Sequence, residues 1–306
     1  HPYFQANLET VKPTIDAGGQ LVVVSTADPG TMDSAFKRLY RAAPQNGYTP
    51  LFYPWNVRPG RDKAWYDAIM RAATDRALAE KQYPATADEA LRPAQAAAGF
   101  DLESLDWMRG ERRRPIFQDG PTSIWQKRVM GRRYCAFTDT SHGVGEDFAV
   151  TGVMDVESAA IVADVFSNTI SPEVLADLSV KLLKLYDDPI WGIEDNDRGV
   201  LTLAVAKRLG YKNLYHLEND DKKAEGWNTN SKTRETLWGE LQEAVKARHL
   251  AVWNEPGLLQ FYDVIRNREK GGRIEAIAGG HDDYPLMVGG CWQMRKHAGS
   301  GEAGRM

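Results

Sequence analysis

Tyr134-Cys135-Ala136-Phe137-Thr138-Asp139 is a short apolar run closed by an acid, and its surroundings decide the fold. Residues 141–146 follow as a turn. Residues 147–154 then read as a second strand, with Phe148, Val150 and Gly152 alternating with Ala149, Thr151 and Val153. Residues 159–166 read as a third. The connections are short, which predicts an antiparallel meander. Ser171-Pro172-Glu173 opens a helix with an N-cap, a proline at the first helical position and an acid in the first turn. Leu175, Leu178, Leu182 and Leu185 give that helix an apolar face. Ile190-Trp191-Gly192-Ile193 is a fourth strand, closed by Glu194. A helix over 198–209 and a fifth short strand over 213–216 follow. Further helices are expected over 232–248, 256–267 and from Asp282 onward.

Acids therefore stand at the ends of two buried strands, Asp139 and Glu194. A pair, Asp282-Asp283, stands where a loop becomes a helix after Gly279-Gly280-His281. Taken one at a time, an Asp closing a strand is a turn former and an Asp before a helix is an N-cap. Buried acids are costly unless they hold something positive. Oxygen-only clusters suit Mg²⁺ or Mn²⁺. Two such ions roughly 4 Å apart activate a water and stabilise the leaving oxygen of a phosphodiester.

The 306 residues hold one large domain or two ordinary ones, and 42% hydrophobic content with nine tryptophans is enough for real cores. No apolar run is long enough to span a membrane. The chain starts at His1 without a Met or a secretory pattern, which reads as a fragment or a processed product. Two cysteines, Cys135 and Cys291, make no disulfide framework, and a reducing setting is expected. Cys135, inside an apolar strand, reads as a core residue. The net charge of −4 gives no global attraction to nucleic acid. Locally, Arg109, Arg112, Arg113, Arg114, Lys127, Arg128, Arg132 and Arg133 face only Glu111 and Asp119. That stretch is either a solvated linker or a stripe that tracks phosphates.

Before this stripe, Gln20-Leu21-Val22-Val23-Val24-Ser25-Thr26 and Leu51-Phe52-Tyr53-Pro54-Trp55 read as strands, the first buried on both faces. Helical spacing covers 32–43 and 62–82. Thr86 with Glu89 suggests a capped short helix, and Ala94 to Gly99 a spacer. The domain reading is 1–105, a basic linker over 106–130, and 131–306.

Three antiparallel strands, then helix, strand, helix, strand is the order of the ribonuclease-H-like fold: a mixed β-sheet flanked by helices. In that fold the first and fourth strands are neighbours, which would set Asp139 beside Glu194. The second half resembles the nuclease domain of the large terminase subunit of tailed bacteriophages. The resemblance rests on Phe137-Thr138-Asp139-Thr140 with Gly145-Glu146-Asp147; Gly192-Ile193-Glu194-Asp195-Asn196; Gly226-Trp227-Asn228-Thr229-Asn230 with Thr233-Arg234; and Gly279-Gly280-His281-Asp282-Asp283. The first half resembles the C-terminal part of the same proteins' ATPase domain, a partial α/β P-loop-ATPase remnant. There Val22 to Thr26 matches the strand ending in a Ser/Thr coupling motif, and Tyr83 to Leu91 the closing segment. No Gly-x-x-x-x-Gly-Lys-Ser/Thr phosphate loop is present, so ATP hydrolysis is not expected of this chain.

The resemblance implies an endonuclease with two Mg²⁺ or Mn²⁺ ions that cuts double-stranded DNA during viral genome packaging. Asp139 would bridge both ions, Glu194 would hold one, and Asp282 or Asp283 the other, its neighbour capping the helix or standing behind. Asp147 and Asp195 read as turn or supporting acids. Arg112, Arg113, Arg114, Lys127, Arg128, Lys232, Arg234 and His281 are candidate phosphate contacts. Trp191 and Trp227 read as core rather than base-stacking platforms. The implied partners are DNA, the portal protein and the small terminase subunit, in the host cytoplasm and transiently at the procapsid portal, with no membrane. Two rival readings remain: a recombinase, transposase or junction resolvase of the same fold, and a non-catalytic portal-docking module.

Overall fold

The computed structural model describes residues 4–15, 18–25, 35–74, 79, 82–91, 98–140, 147–194, 199–219, 222–227, 231–267, 270–277 and 280–299. The chain divides into two compact units, His1–Ala98 with Ala276–Gly279, and Gly99–Glu275 with Gly280–Met306.

In the first unit lie α1 (Phe4–Val11), α2 (Ala35–Arg41), α3 (Lys63–Ala72) and α4 (Ala87–Leu91). Asp62 caps α3 by accepting from Trp65 N at 2.8 Å. At Ala73 the backbone turns extended, which ends this helix well before residue 82. Thr86 accepts from Glu89 N at 3.2 Å, and Glu89 accepts from Ala85 N at 2.7 Å, a capping box displaced by one residue. The two apolar runs do not form strands. Residues 21–25 are irregular, with Val22 69% and Val24 86% exposed, and 51–54 are irregular too. An apolar run becomes a buried strand only where a sheet receives it, and the described residues of this unit supply none. Thr26 lies outside the described residues, as do 32–34 of the second expected element and most of the 94–99 spacer.

The second unit is built on one sheet. Its strands are β1 (Phe117–Asp119), β2 (Thr122–Ile124), β3 (Tyr134–Asp139), β4 (Ala149–Asp155), β5 (Ala160–Ser167) and β6 (Ile190–Ile193). They run in the order β1-β2-β5-β4-β3-β6. The β3-β4-β5 meander is antiparallel and β6 is parallel to β3, as the strand order implied. Register sets Thr138 opposite Ile193, so Asp139 and Glu194 follow side by side. The fifth strand is reduced to a parallel bridge, Trp191 with Leu214. The chain next forms the hairpin β7 (His216–Asn219) and β8 (Lys222–Glu225). The short β9 (Ala251–Val252) pairs with β5, while β10 (Val264–Asn267) and β11 (Arg273–Ala276) form a separate two-stranded sheet. Residues 264–267, expected as helix, are thus strand, in keeping with the β-branched Val264-Ile265 pair.

Helices cover both faces, which is why β3, β4 and most of β5 are buried along their length. On one face α6 (Pro172–Lys184) and α7 (Gly199–Arg208) pack over Tyr134, Ala136, Val153, Val162 and Trp191. On the other, α5 (Leu102–Gly110), α8 (Ser231–Lys246), α9 (Glu255–Asp263) and α10 (Asp283–Met294) pack over Cys135, Phe137, Val150 and Met154. Each Val, Phe or Met among them contributes roughly 1.5–3 kcal/mol when fully buried. Helix α10 lies close on β3: a Cβ at Gly290 would stand 2.1 Å from Phe137 Cγ.

The boundaries differ from the sequence reading: the second unit begins at Gly99, and Ala276–Gly279 falls with the first. Residues 106–130 are not a linker. They hold the end of α5 and the β1-β2 hairpin, which extends the main sheet beyond β5. Their arginines masked the strand pattern. Cys135 and Cys291 are both fully buried free thiols. Among the described residues no helix is long and apolar enough to cross a membrane.

Candidate metal centre

Three chain-distant elements deliver acids to one end of the sheet. Asp139 closes β3, Glu194 follows β6, and Asp283 opens α10. They are 5%, 8% and 9% exposed. The Glu194 backbone is fixed from both sides. Its amide donates to Thr138 O at 3.2 Å, and it forms a parallel bridge with Trp227. Trp227 N donates to Ile193 O at 2.7 Å. Trp191 and Trp227 are core residues, as the sequence suggested. Beneath Asp139 a buried polar chain stiffens the strand ends. Trp191 Nε1 donates to Thr138 Oγ1 at 2.8 Å, Thr138 and Thr151 share a hydroxyl contact at 2.6 Å, and Ser179 donates to Thr151 at 2.7 Å.

The electrostatics of the cluster are those of crowded, mutually repelling carboxylates. Burial raises the Asp139 carboxyl well above its ordinary range, and the negative charges of Glu194, Asp283 and Asp282 raise it further. Asp139 also shares a hydrogen bond with Glu194. Burial likewise raises Asp283, to about 7, with Asp282 and Asp147 adding to the effect. The Phe148 amide opposes this by donating to Asp283 Oδ2 at 3.2 Å.

The adjacent acids differ. Asp282 occupies the N-cap position of α10 yet its side chain caps nothing. It reaches Arg234 at 3.2 Å. Burial raises its carboxyl and Arg234 pulls it down. Arg234 therefore lies beside the acidic cluster, on the first turn of α8.

Asp147, read from sequence as a turn or supporting acid, joins the cluster. Ligand atoms of Asp147, His281 and Asp283 all lie within 4.8 Å of one another. His281 Nδ1 is 3.7 Å from Asp283 and 3.9 Å from Asp147, and it is buried with no hydrogen-bond partner among the described residues. The ring meets Phe148 edge-on at 4.9 Å. An orphaned ring nitrogen between two carboxylates fits a divalent ion, as does the oxygen-rich set around it. Asp195 and the 141–146 turn fall outside the described residues, as do Asn228 to Asn230 and Gly279.

One acid was missed entirely. Asp164, in the middle of β5, is fully buried and accepts from Tyr284 Oη at 2.7 Å and Asn254 Nδ2 at 2.8 Å. Burial raises its carboxyl to about 7, against the pull of both donors. Tyr284 directly follows Asp283, and its amide donates to Gln260 Oε1 at 2.8 Å. Lone acids in strands usually face water, and nothing local in the sequence distinguished this one.

Most of the basic stripe is paired. Arg109 and Arg112 reach Glu255 at 3.0 and 3.2 Å, Arg128 reaches Asp187 at 3.0 Å, and Arg133 reaches Glu157 at 2.8 Å. Arg113 stacks 4.6 Å over the Trp253 ring. Arg114, Lys127 and Lys232 are exposed.

The nuclease of the large terminase of the thermophilic phage G20c, solved with bound magnesium, aligns over 64% of this chain and 97% of its own. The TM-score is 0.52 at 18% identity. The same nuclease with bound cobalt aligns equally well, at TM-score 0.52 and 18% identity, over 64% and 97% of the two chains. The large terminase nuclease domain of Thermus phage P74-26 aligns over 64% and 95%, at TM-score 0.50 and 20% identity. This chain has the fold of the large-terminase nuclease domains. That fold is ribonuclease-H-like, as its strand order indicated. No model of a protein family matches the sequence.

Proposed function

We propose that the second unit is a metal-dependent endonuclease that cuts double-stranded DNA during viral genome packaging, as part of a large terminase subunit. One observation carries the reading. Asp139, Glu194, Asp282 and Asp283, brought from three elements far apart in sequence, are gathered and largely buried at one end of a terminase-nuclease sheet. Without a cation such a cluster is self-repelling.

In this reading Asp139, Glu194 and Asp283, with Asp147 and His281, would hold Mg²⁺ or Mn²⁺. Bound there, the ions would supply Lewis acidity and lower the pKa of an attacking water. The residues of the chain supply the rest. The Phe148 amide aims the Asp283 carboxylate, and Trp191 with the hydroxyl chain holds the end of β3. Arg234 holds Asp282 at 3.2 Å and opposes the rise that burial gives its carboxyl. The first unit would be the C-terminal part of an ATPase domain, with no ATP hydrolysis of its own. The portal protein and the small terminase subunit are the partners this role requires.

The test is cleavage of supercoiled plasmid by the full chain. Nicked and linear product should form in Mn²⁺ or Mg²⁺, with little in Ca²⁺ and none in EDTA. Asp139→Asn, which keeps the shape and removes a charge, should abolish cutting while the thermal unfolding transition stays cooperative. An Asp139→Asn protein that cuts at the unmutated rate would sink the assignment. Strand joining, or selective cleavage of four-way junctions, would instead favour a recombinase or resolvase.

A further inference from the structure

Besides the metal centre, the second unit holds a cavity of about 720 Å³ walled by three elements. One wall is the Arg112-Arg113-Arg114 segment after α5. The second is the β1-β2 hairpin with Gln118 and Ser123. The third is the start of α9, with Trp253, Asn254 and Glu255. Its charge is unbalanced. Glu255 is taken up by Arg109 on one oxygen and by Arg112 on the other. Arg113 and Arg114 have no carboxylate partner among the described residues. The Arg113 guanidinium is held in place over Trp253, and its carbonyl accepts from Trp125 Nε1 at 3.1 Å, so this cation is presented on a rigid backbone.

The cavity adjoins the acidic cluster. Phe166 lines it, and Phe166 stacks on Phe148 with ring centres 4.5 Å apart and planes 7° from parallel. Phe148 in turn donates its amide to Asp283 and meets His281 edge-on. Two stacked rings thus stand between the cationic cavity and the acidic cluster.

We infer that this cavity seats one strand of the DNA flanking the cut, its phosphodiesters held by Arg113 and Arg114. The inference rests on the nuclease reading. The physical reason is a division of labour. The acidic cluster repels a phosphate until cations fill it, so a chain with net charge −4 must gain its hold on DNA from cations placed elsewhere. Guanidinium groups suit this because their fork matches phosphate oxygens. The cavity's size also admits a nucleotide unit rather than a bare anion.

The test uses the full chain carrying Asp139→Asn, so that binding is read without cutting, and a fluorescent duplex titrated across salt concentrations. Replacing Arg113 and Arg114 by Ala should weaken binding about tenfold at moderate salt and lower the slope of log affinity against log salt by about two. Lys184→Ala, an exposed cation of α6 that does not line the cavity, should change neither. In the cutting-competent chain the same pair of substitutions should raise KM and leave kcat at saturating DNA unchanged. Should Arg113→Ala unfold the protein by baring Trp253, Arg114→Glu alone carries the test, because Arg114 is exposed and ion-paired to nothing described. Unchanged affinity and slope for both variants would overturn the proposal. Loss of binding in a chain that proves unable to cut would leave the cavity a DNA site and retire the nuclease reading alone.

Discussion

The hydroxyl of Tyr284 donates to the buried carboxylate of Asp164 at 2.7 Å, across 120 residues of chain. Tyr284 is the residue after Asp283, so β5 sets where α10 begins and hence where Asp283 points. Phe166, two residues along β5, backs Phe148, which aims the same carboxylate. Tyr284→Phe removes the hydroxyl and leaves Asp164 with Asn254 as its remaining side-chain donor. The expected cost is roughly 1–3 kcal/mol. It should appear as a Tm lowered by several degrees. Cutting should fall through kcat, with KM for DNA unchanged. An unaltered Tm in calorimetry would show that the hydroxyl contributes nothing.

Stability should depend on pH in an unusual direction. The Asp283 and Asp164 carboxyls are raised to about 7, and Asp139 is also raised, against unfolded values near 4. Between about pH 4 and pH 7 the folded protein therefore binds more protons than the unfolded one, and stability falls as pH rises through that window. In EDTA, Tm should drop across it. Mn²⁺ binds the ionised cluster of the folded state only, so it should raise Tm most near and above pH 7. Asp139→Asn should flatten the EDTA profile. A Tm that climbs with pH in EDTA would contradict the burial of these groups.

Gly199, the first residue of α7, lies against the backbone carbonyl of Glu194. A Cβ there would fall 1.5 Å from Glu194 O and 2.7 Å from its carbonyl carbon, backbone that cannot yield. Gly199→Ala should force α7 and Glu194 apart. We expect a lower Tm and a loss of cutting that added metal does not restore. Wild-type cutting by a folded Gly199→Ala protein would show that Glu194 is not fixed from this side.

How much of this was legible in the sequence follows from where each element finds its partners. Residues 134–139 and 190–193 could be read because each run is apolar along its length, and helices do cover both faces. Residues 21–25 have the same composition but meet no sheet, so the same rule misread them. The β1-β2 hairpin hid behind its flanking arginines. The β7-β8 hairpin hid because His-Leu-Glu-Asn and Lys-Lys-Ala-Glu show no apolar period. Asp139 and Glu194 were found because acids closing buried strands are costly. Asp164 escaped, since its donors come from residues 90 and 120 positions away.

The adjacent acids at the start of α10, interchangeable in sequence, should separate by mutation. Asp283 is the more committed to the cluster. It is held by the Phe148 amide, it lies within 4.8 Å of the Asp147 and His281 ligand atoms, and its charge acts on Asp139 more strongly than that of Asp282. Asp282 instead faces Arg234 at 3.2 Å. Asp283→Asn keeps the shape but removes the charge that both Asp139 and a bound cation would feel. Cutting should fall by at least about a hundredfold, the order expected for loss of a group acting directly on the transition state. Asp282→Asn should cost about tenfold or less, because its carboxylate is already engaged by Arg234. The Mn²⁺ concentration at half-maximal rate should rise sharply for Asp283→Asn and little for Asp282→Asn. A reversed order, measured on proteins of equal Tm, would move the ligand role to Asp282 and make Arg234 a brake on metal binding.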